Sequence, residues 1–224
     1  MKFLFPLLII SALVVRAQTE TKTYIEDEAD IALRKMSARY EAFKTIKADF
    51  MLIITNPKLS PKDDERKLTD TLLGSVLLKS EKFKLTLPGQ EIYCDGKNIW
   101  TYNLNDKEVV VDLFTENDDV FSPAKLFSFY KKGFSYQVKE KRITPKGRII
   151  VAEMSPVNKK TSYFKIDVAM DENNYTLVET KIYSKNGTRY LYKIKKETTD
   201  IEAPDEVFSF NASKYPGVKI TDLR

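Results

Sequence analysis

The sequence lacks histidine entirely and has one cysteine and seven glycines among 224 residues. Without histidine the chain cannot supply imidazole ligands to a metal, the base of a Ser-His-Asp triad or a Cys-His pair. The single thiol, Cys94, cannot form a disulfide within the chain, so stability must come from packing. We therefore expect no catalytic residues, no metal site and no cofactor, and we interpret Cys94 as a small buried hydrophobe.

An excess of charge of one sign is also missing. The chain has 37 basic and 32 acidic side chains, and 42% of its residues are hydrophobic. A nearly balanced charge of this kind is not typical of a nucleic-acid-binding protein. No repeat, linker or low-complexity segment interrupts the chain, so the composition predicts one globular domain.

The first seventeen residues have the pattern of a secretory signal peptide. Lys2 precedes the apolar run of residues 3–15, and Val15-Arg16-Ala17 matches the small-x-small cleavage pattern. The apolar run is shorter than the roughly 20 residues that a membrane-spanning helix needs. We therefore predict that residues 1–17 are removed and that residues 18–224 form the mature domain.

Apolar residues recur at steps of three and four between residues 25 and 46, which predicts an amphipathic helix of about 20 residues. These residues are Ile25, Ala29, Leu33, Met36, Tyr40, Phe43 and Ile46. A helix that packs permanently in a core and a helix that acts as a lid have the same spacing, so both interpretations stay open. Ser122-Pro123 predicts the start of a second, short helix that includes Leu126 and Phe127.

The remaining chain predicts about eleven β-strands. Phe83, Leu85 and Leu87 alternate with polar residues, which is the period of a half-buried strand. Residues 92–94 and 98–102 flank Asp95-Gly96, a turn typical of a hairpin. These patterns predict a mainly β fold of the α+β type: an incomplete antiparallel β-barrel whose concave face is covered by helices over an apolar cavity. Such a cavity favours a hydrophobic ligand.

Several segments resemble the LolA family of periplasmic lipoprotein carriers. They are Gly74-Ser-Val-Leu-Leu-Lys79, Lys82-Phe-Lys-Leu85, Cys94-Asp-Gly-Lys-Asn-Ile-Trp-Thr-Tyr102, Lys107-Glu-Val109, Phe208-Ser-Phe210 and Pro216-Gly-Val218. The most specific of them is the Asp-Gly-Lys-x-x-Trp-x-Tyr hairpin. The resemblance implies a chaperone that carries the acyl chains of lipoproteins through the periplasm, from an inner-membrane lipoprotein-releasing transporter to the outer membrane, where an acceptor is a possible further partner.

The resemblance also implies a set of lipid-binding residues and a lid latch. The lipid-binding set is Leu33, Met36, Tyr40, Phe43, Phe83, Leu85, Leu87, Trp100, Tyr102, Leu126 and Phe127. Better-known members hold the lid with an arginine, and this chain has Lys79 in that region, without the planar guanidinium fork. We expect a monomer that binds no nucleic acid. The alternative is a LolA-like carrier or sensor of another lipid or hydrophobic small molecule in the cell envelope.

Overall fold

The computed structural model describes residues 27–56, 69–115, 127 and 133–224. These residues form one α-helix and twelve β-strands. The elements are α1 (Glu28–Glu41), β1 (Ile46–Thr55), β2 (Thr69–Lys79), β3 (Lys82–Leu87), β4 (Gln90–Cys94), β5 (Asn98–Asn103), β6 (Glu108–Leu113), β7 (Phe134–Thr144), β8 (Gly147–Pro156), β9 (Tyr163–Asp171), β10 (Leu177–Ser184), β11 (Arg189–Thr199) and β12 (Lys219–Asp222).

All twelve strands belong to one sheet, in the order β12-β6-β5-β4-β3-β2-β1-β11-β10-β9-β8-β7. Neighbouring strands are antiparallel, except that β12 runs parallel to β6. The edge strands β12 and β7 do not pair with each other in the described residues, so the sheet is not closed into a barrel. The predicted mainly β architecture is confirmed. The additional strand, β12, has only four mostly exposed residues and no apolar alternation to reveal it.

The two faces of the sheet differ in chemistry. Directly opposed residues of paired strands lie on the same face, and the pairs Ile46 with Leu78 and Leu78 with Phe83 trace the face that packs against α1. We call this the inner face. It forms the main hydrophobic core with α1, as predicted for Phe83 and Leu85, which are buried. The alternate residues of the same strand lie on the opposite, outer face.

Gly74 has a specific role on the inner face. A β-carbon at this position would lie 2.6 Å from Cζ of Phe50, on the neighbouring strand. The glycine therefore lets the Phe50 ring lie against the backbone of β2, where any side chain would exclude it.

Helix α1 begins with a side-chain cap, because the carboxylate of Asp27 accepts a hydrogen bond from the backbone N–H of Ala29 at 2.9 Å. The helix ends at Glu41, five residues before the predicted end. Ile46 is instead the first residue of β1 and pairs with Leu78. The apolar spacing continues past the end of the helix because Ile46 lies on the inner face of β1. That face, like the covered side of α1, buries apolar side chains.

The chain between β11 and β12 crosses the outer face, and we call residues 200–218 the C-terminal strap. It contains two short 3-10 turns, Asp205–Phe208 and Ala212–Lys214. The first of these turns contacts β3. The predicted signal peptide, Leu126 and most of the predicted second helix lie outside the described residues.

Candidate functional site

Helix α1 covers the inner face with apolar side chains. Leu33 and Met36 are fully buried in the main core, and the helix packs most closely on β7 and β8. On the other half of the sheet, Leu87, Ile92 and Ile99 belong to the same core but are only partly buried. The apolar inner face is therefore continuous from α1 to β5, with Leu87, Ile92 and Ile99 less completely buried than Leu33 and Met36.

A cavity of about 400 Å³ opens at the C-terminal end of α1. Its apolar walls come from the helix end, β1, β2 and Phe127. The lining residues are Tyr40, Glu41, Phe43, Lys44, Thr45, Ile46, Leu78, Ser80 and Phe127. The lining is mixed, with aromatic and aliphatic side chains on one part and Glu41, Lys44, Thr45 and Ser80 on the other. A volume of about 300–1,000 Å³ is typical of a site for a small ligand or part of a larger one.

Tyr40 provides a buried polar contact between α1 and the sheet. Its hydroxyl donates a hydrogen bond to Oε2 of Glu197 on β11 at 2.6 Å and accepts one from the backbone N–H of Leu177 on β10 at 2.9 Å. Burial, followed by the hydrogen bond and negative charge of Glu197, raises the pKa of Tyr40 well above its usual value. The phenol therefore stays neutral and holds the helix end to two strands.

Glu197 was not among the predicted site residues. It lies on the inner face, directly opposite Ala48 of β1. In the sequence, Glu197 is preceded by Lys193, Lys195 and Lys196. These charged residues hid the alternation that would have shown Glu197 to be on the inner face. Arg39 contributes a second, weaker contact, with its guanidinium 3.8 Å from Glu197.

Aromatic rings surround the cavity. The ring centroids of Tyr40 and Phe127 are 4.9 Å apart, and those of Tyr40 and Phe43 are 6.3 Å apart. Phe43 follows the helix and is partly exposed, with the Arg39 guanidinium 5.3 Å from its ring centroid. The structure thus brings together these predicted site residues in one inner core: Leu33, Met36, Tyr40, Phe43, Phe83, Leu85, Leu87 and Phe127.

Trp100 and Tyr102 do not join this group. They pair with Tyr93 and Glu91, whose neighbours Cys94 and Ile92 lie on the inner face, so both residues lie on the outer face. Tyr102 packs there against the ring of Tyr215 in the strap, with centroids 4.6 Å apart. Alternation separates Trp100 and Tyr102 from Ile99 and Thr101, but only the pairing with β4 shows that Ile99 and Thr101 are the residues that face inward.

Lys79 also lies on the outer face. Its ammonium donates hydrogen bonds to the backbone oxygen of Ala203 at 2.9 Å and to Oδ1 of Asp205 at 2.8 Å. Lys82 reaches the other oxygen of the same carboxylate at 2.6 Å. In the described residues Lys79 therefore holds the strap, on the opposite side of the sheet from α1, rather than the covering helix that the resemblance implied.

The described residues contain neither a metal cluster nor a membrane helix. No group of three or more cysteine, aspartate or glutamate side chains among them is arranged to hold a metal ion. None of their helices combines the length and the apolar character needed to cross a bilayer.

Comparison with known families explains this architecture. The profile of the family described as outer membrane lipoprotein carrier protein LolA matches residues 65–211, more than half of the chain. The chain belongs to the LolA family. The matched region of this LolA-family chain spans the inner-face residues of β2 and β3 and the start of the strap, whereas α1 and β1 precede it.

Solved structures are similar to this chain at low sequence identity. An uncharacterized conserved protein from Thermus thermophilus is 8% identical, with a TM-score of 0.55 over 87% of this LolA-family chain and 98% of the other. A LolA superfamily protein from Nitrosomonas europaea is 13% identical, with a TM-score of 0.43 over 81% and 97%. LprF from Mycobacterium bovis is 9% identical, with a TM-score of 0.41 over 79% and 95%. Comparison with curated protein sequences yields no match.

Proposed function

We propose that the mature chain, residues 18–224, is a periplasmic carrier that holds the acyl chains of lipoproteins between α1 and the inner face. The observation that supports this function is the cavity at the end of α1, whose apolar walls are Tyr40, Phe43, Leu78 and Phe127 and which continues into the apolar inner core. In this proposal an inner-membrane lipoprotein-releasing transporter loads the carrier, and the outer membrane, through an acceptor where one exists, receives the cargo. The carrier works as a monomer and catalyses no reaction.

Competition between α1 and the ligand allows release. Each methylene group moved out of water stabilises the complex by about 0.8 kcal/mol, so long acyl chains would bind too tightly if nothing opposed them. When an acyl chain enters between α1 and the inner face, Leu33 and Met36 lose the contacts that bury them completely. The apparent affinity is therefore reduced by the free energy of lifting the helix, and α1 acts as a lid.

A pair of substitutions on opposite faces tests this proposal. Phe43→Glu places a carboxylate on the cavity wall at a partly exposed position that does not belong to a helix or strand. We expect it to weaken binding of a fluorescent triacylated lipopeptide at least tenfold, because the charge loses its hydration when the acyl chain enters. Leu77→Glu is the matched control, since Leu77 lies on the outer face between Lys47 and Lys84, which can pair with the new carboxylate.

Leu85→Glu extends the test into the deeper part of the inner face, where the side chain is buried. Thermal unfolding of each variant separates loss of binding from loss of fold. A folded Phe43→Glu variant that binds the lipopeptide like the parent would contradict the proposal. Binding of free fatty acids without binding of lipopeptides would instead support the alternative of a carrier or sensor for another lipid.

A further inference from the structure

An apolar patch with one exposed and three half-buried side chains lies on the outer face of the three central strands. It consists of Met51 and Ile53 on β1, Leu73 on β2 and Leu191 on β11, and we call it the outer patch. Met51 is directly opposite Leu73, and Ile53 is directly opposite Leu191. Leu73 is 66% exposed, although its strand is central in the sheet. The C-terminal strap crosses β3 to β5 and leaves this patch uncovered in the described residues.

Lysines surround the outer patch, and we call Lys47, Lys181, Lys193 and Lys196 the lysine rim. Lys193 is directly opposite Met51, and Lys181 is directly opposite Leu191. Arg189 adds a further positive charge, whereas Asp49 and Glu179 are the acidic residues at the same face of β1, β2, β10 and β11. Lys193 is 3.9 Å from Glu179, and the other three rim lysines form no ion pair with described residues.

We propose that this face docks on the surface of an anionic lipid bilayer. Apolar side chains beside lysines suit the boundary between headgroups and acyl chains, because the lysine methylenes lie along apolar surface while the ammonium stays at the charged headgroups. A protein partner suits the face less well, since lysine is depleted from the cores of protein interfaces. Here Lys193 and Lys181 stand directly across from Met51 and Leu191 rather than at a distant edge.

The docking face and the acyl-binding cavity lie on opposite sides of the same strands. Leu73 points outward, whereas its neighbours Leu72 and Gly74 pair with inner-face residues. The outer patch is therefore available whether or not the interior is occupied, and the two activities can be tested separately.

Co-sedimentation of the full mature chain with lipid vesicles tests the docking surface. We expect binding to phosphatidylglycerol vesicles, little binding to phosphatidylcholine vesicles, and a steep fall of binding with added salt. Leu73→Ser should weaken binding about tenfold. Lys47→Gln and Lys181→Gln should each weaken it about fivefold.

Ile143→Ser and Lys146→Gln are matched controls. Ile143 is 89% exposed on the edge strand β7, and Lys146 is exposed in the turn that follows it, both away from the outer patch. Parental vesicle binding by these two variants and by Phe43→Glu is expected. Loss of vesicle binding in Phe43→Glu would show that vesicles are bound through the cavity instead, and would overturn the inference without affecting the carrier proposal.

Two other outcomes would overturn the membrane assignment. Equal binding of the parent and Leu73→Ser to phosphatidylglycerol vesicles would remove the outer patch from the docking surface. Retention on immobilised polyglutamate that depends on Lys47 and Lys181, without any vesicle binding, would assign the face to an acidic protein partner.

Discussion

The sheet has two coverings, α1 on the inner face and the C-terminal strap on the outer face, and they are held by different forces. Helix α1 is held mainly by apolar contacts, and its directional links to the sheet include Tyr40 and the exposed ion pair between Glu28 and Lys141. The strap has one fully buried apolar anchor, Phe208, and is otherwise held by hydrogen bonds, ion pairs and stacked aromatic rings. Apolar contacts are non-directional, so an acyl chain can replace them, whereas displacing the strap would leave polar groups unpaired. Under the proposed function, α1 is therefore the covering that an acyl chain would displace.

The strap network centres on Glu91. Its Oε2 accepts hydrogen bonds from the hydroxyl of Tyr93 at 2.6 Å and from that of Tyr215 at 2.9 Å. Burial opposes the charge of Glu91, but the hydrogen bonds from both tyrosines and the nearby Lys84 lower its pKa. Phe210 stacks on Tyr215 with ring centroids 4.9 Å apart, so the network is shielded by aromatic surface.

The two coverings meet at the loop between α1 and β1. The backbone N–H of Lys44 donates to the carboxylate of Asp200 at 2.8 Å, and the hydroxyl of Thr45 donates to the backbone oxygen of Ile201 at 2.7 Å. Lys44 and Thr45 also line the cavity. The start of the strap therefore fixes the point about which α1 would move.

The largest expected effect comes from removing the buried anchor of the strap. Phe208 is fully buried yet lies outside the inner core, so Phe208→Ala should lower the free energy of unfolding by about 3–5 kcal/mol. Lipopeptide affinity of the folded fraction should stay at the parental value. Urea unfolding and a lipopeptide titration give the two quantities.

Met36→Ala on α1 should lower the free energy of unfolding by a similar amount, about 2–5 kcal/mol, but should also change the affinity for the lipopeptide. If Phe208→Ala and Met36→Ala changed lipopeptide affinity equally, the two coverings would not differ in their effect on binding.

A smaller effect on the free energy of unfolding is expected from removing one tyrosine hydroxyl from each of the two coverings. Tyr40→Phe leaves the N–H of Leu177 unsatisfied and Glu197 without its donor, which should cost about 1–3 kcal/mol of unfolding free energy. Because the lid is then easier to lift, lipopeptide affinity should rise. Tyr215→Phe is the matched change in the strap, and it should lower stability without altering affinity. A Tyr40→Phe variant with parental or weaker affinity would contradict the lid model.

The smallest effect is expected at Lys79. Lys79→Leu removes one of the two ammonium groups on Asp205, and because the pair is exposed we expect only a slight fall in the unfolding midpoint and parental lipopeptide binding. Hydrogen bonds from Lys79 and Lys82 lower the pKa of Asp205 to about 2. The contribution of ionised Asp205 to folding stability is therefore present above its unfolded-state pKa of about 4 and is lost as the pH falls towards 2.

Acid titration of the parent and the Lys79→Leu variant, followed by unfolding at each pH, measures this contribution. The difference between the two proteins should shrink below about pH 4. A marked loss of lipopeptide release in Lys79→Leu would show that Lys79 acts on the lid. The strap, and not only α1, would then take part in release.

Local alternation was sufficient to predict much of this protein. The period of two in β3 predicted that Phe83 and Leu85 face the core, because only one face of such a strand is buried. The spacing of Leu33, Met36 and Tyr40 predicted an amphipathic helix for the corresponding reason. The hairpin motif and the segments around it indicated the family, which the profile match then showed.

Long-range pairing decided the rest. Sequence patterns do not state which strand lies beside which, so only the sheet register placed Trp100 and Tyr102 on the outer face. Lys79 and Asp205 are separated by 126 positions, and Tyr40 and Glu197 by 157. Contacts of this kind arise when a single sheet brings distant segments together, and local periodicity carries no record of them. The sequence by itself determined which residues share one side of each strand or helix, because that depends only on local periodicity, and the tertiary structure determined what covers each side and which polar residues hold the coverings.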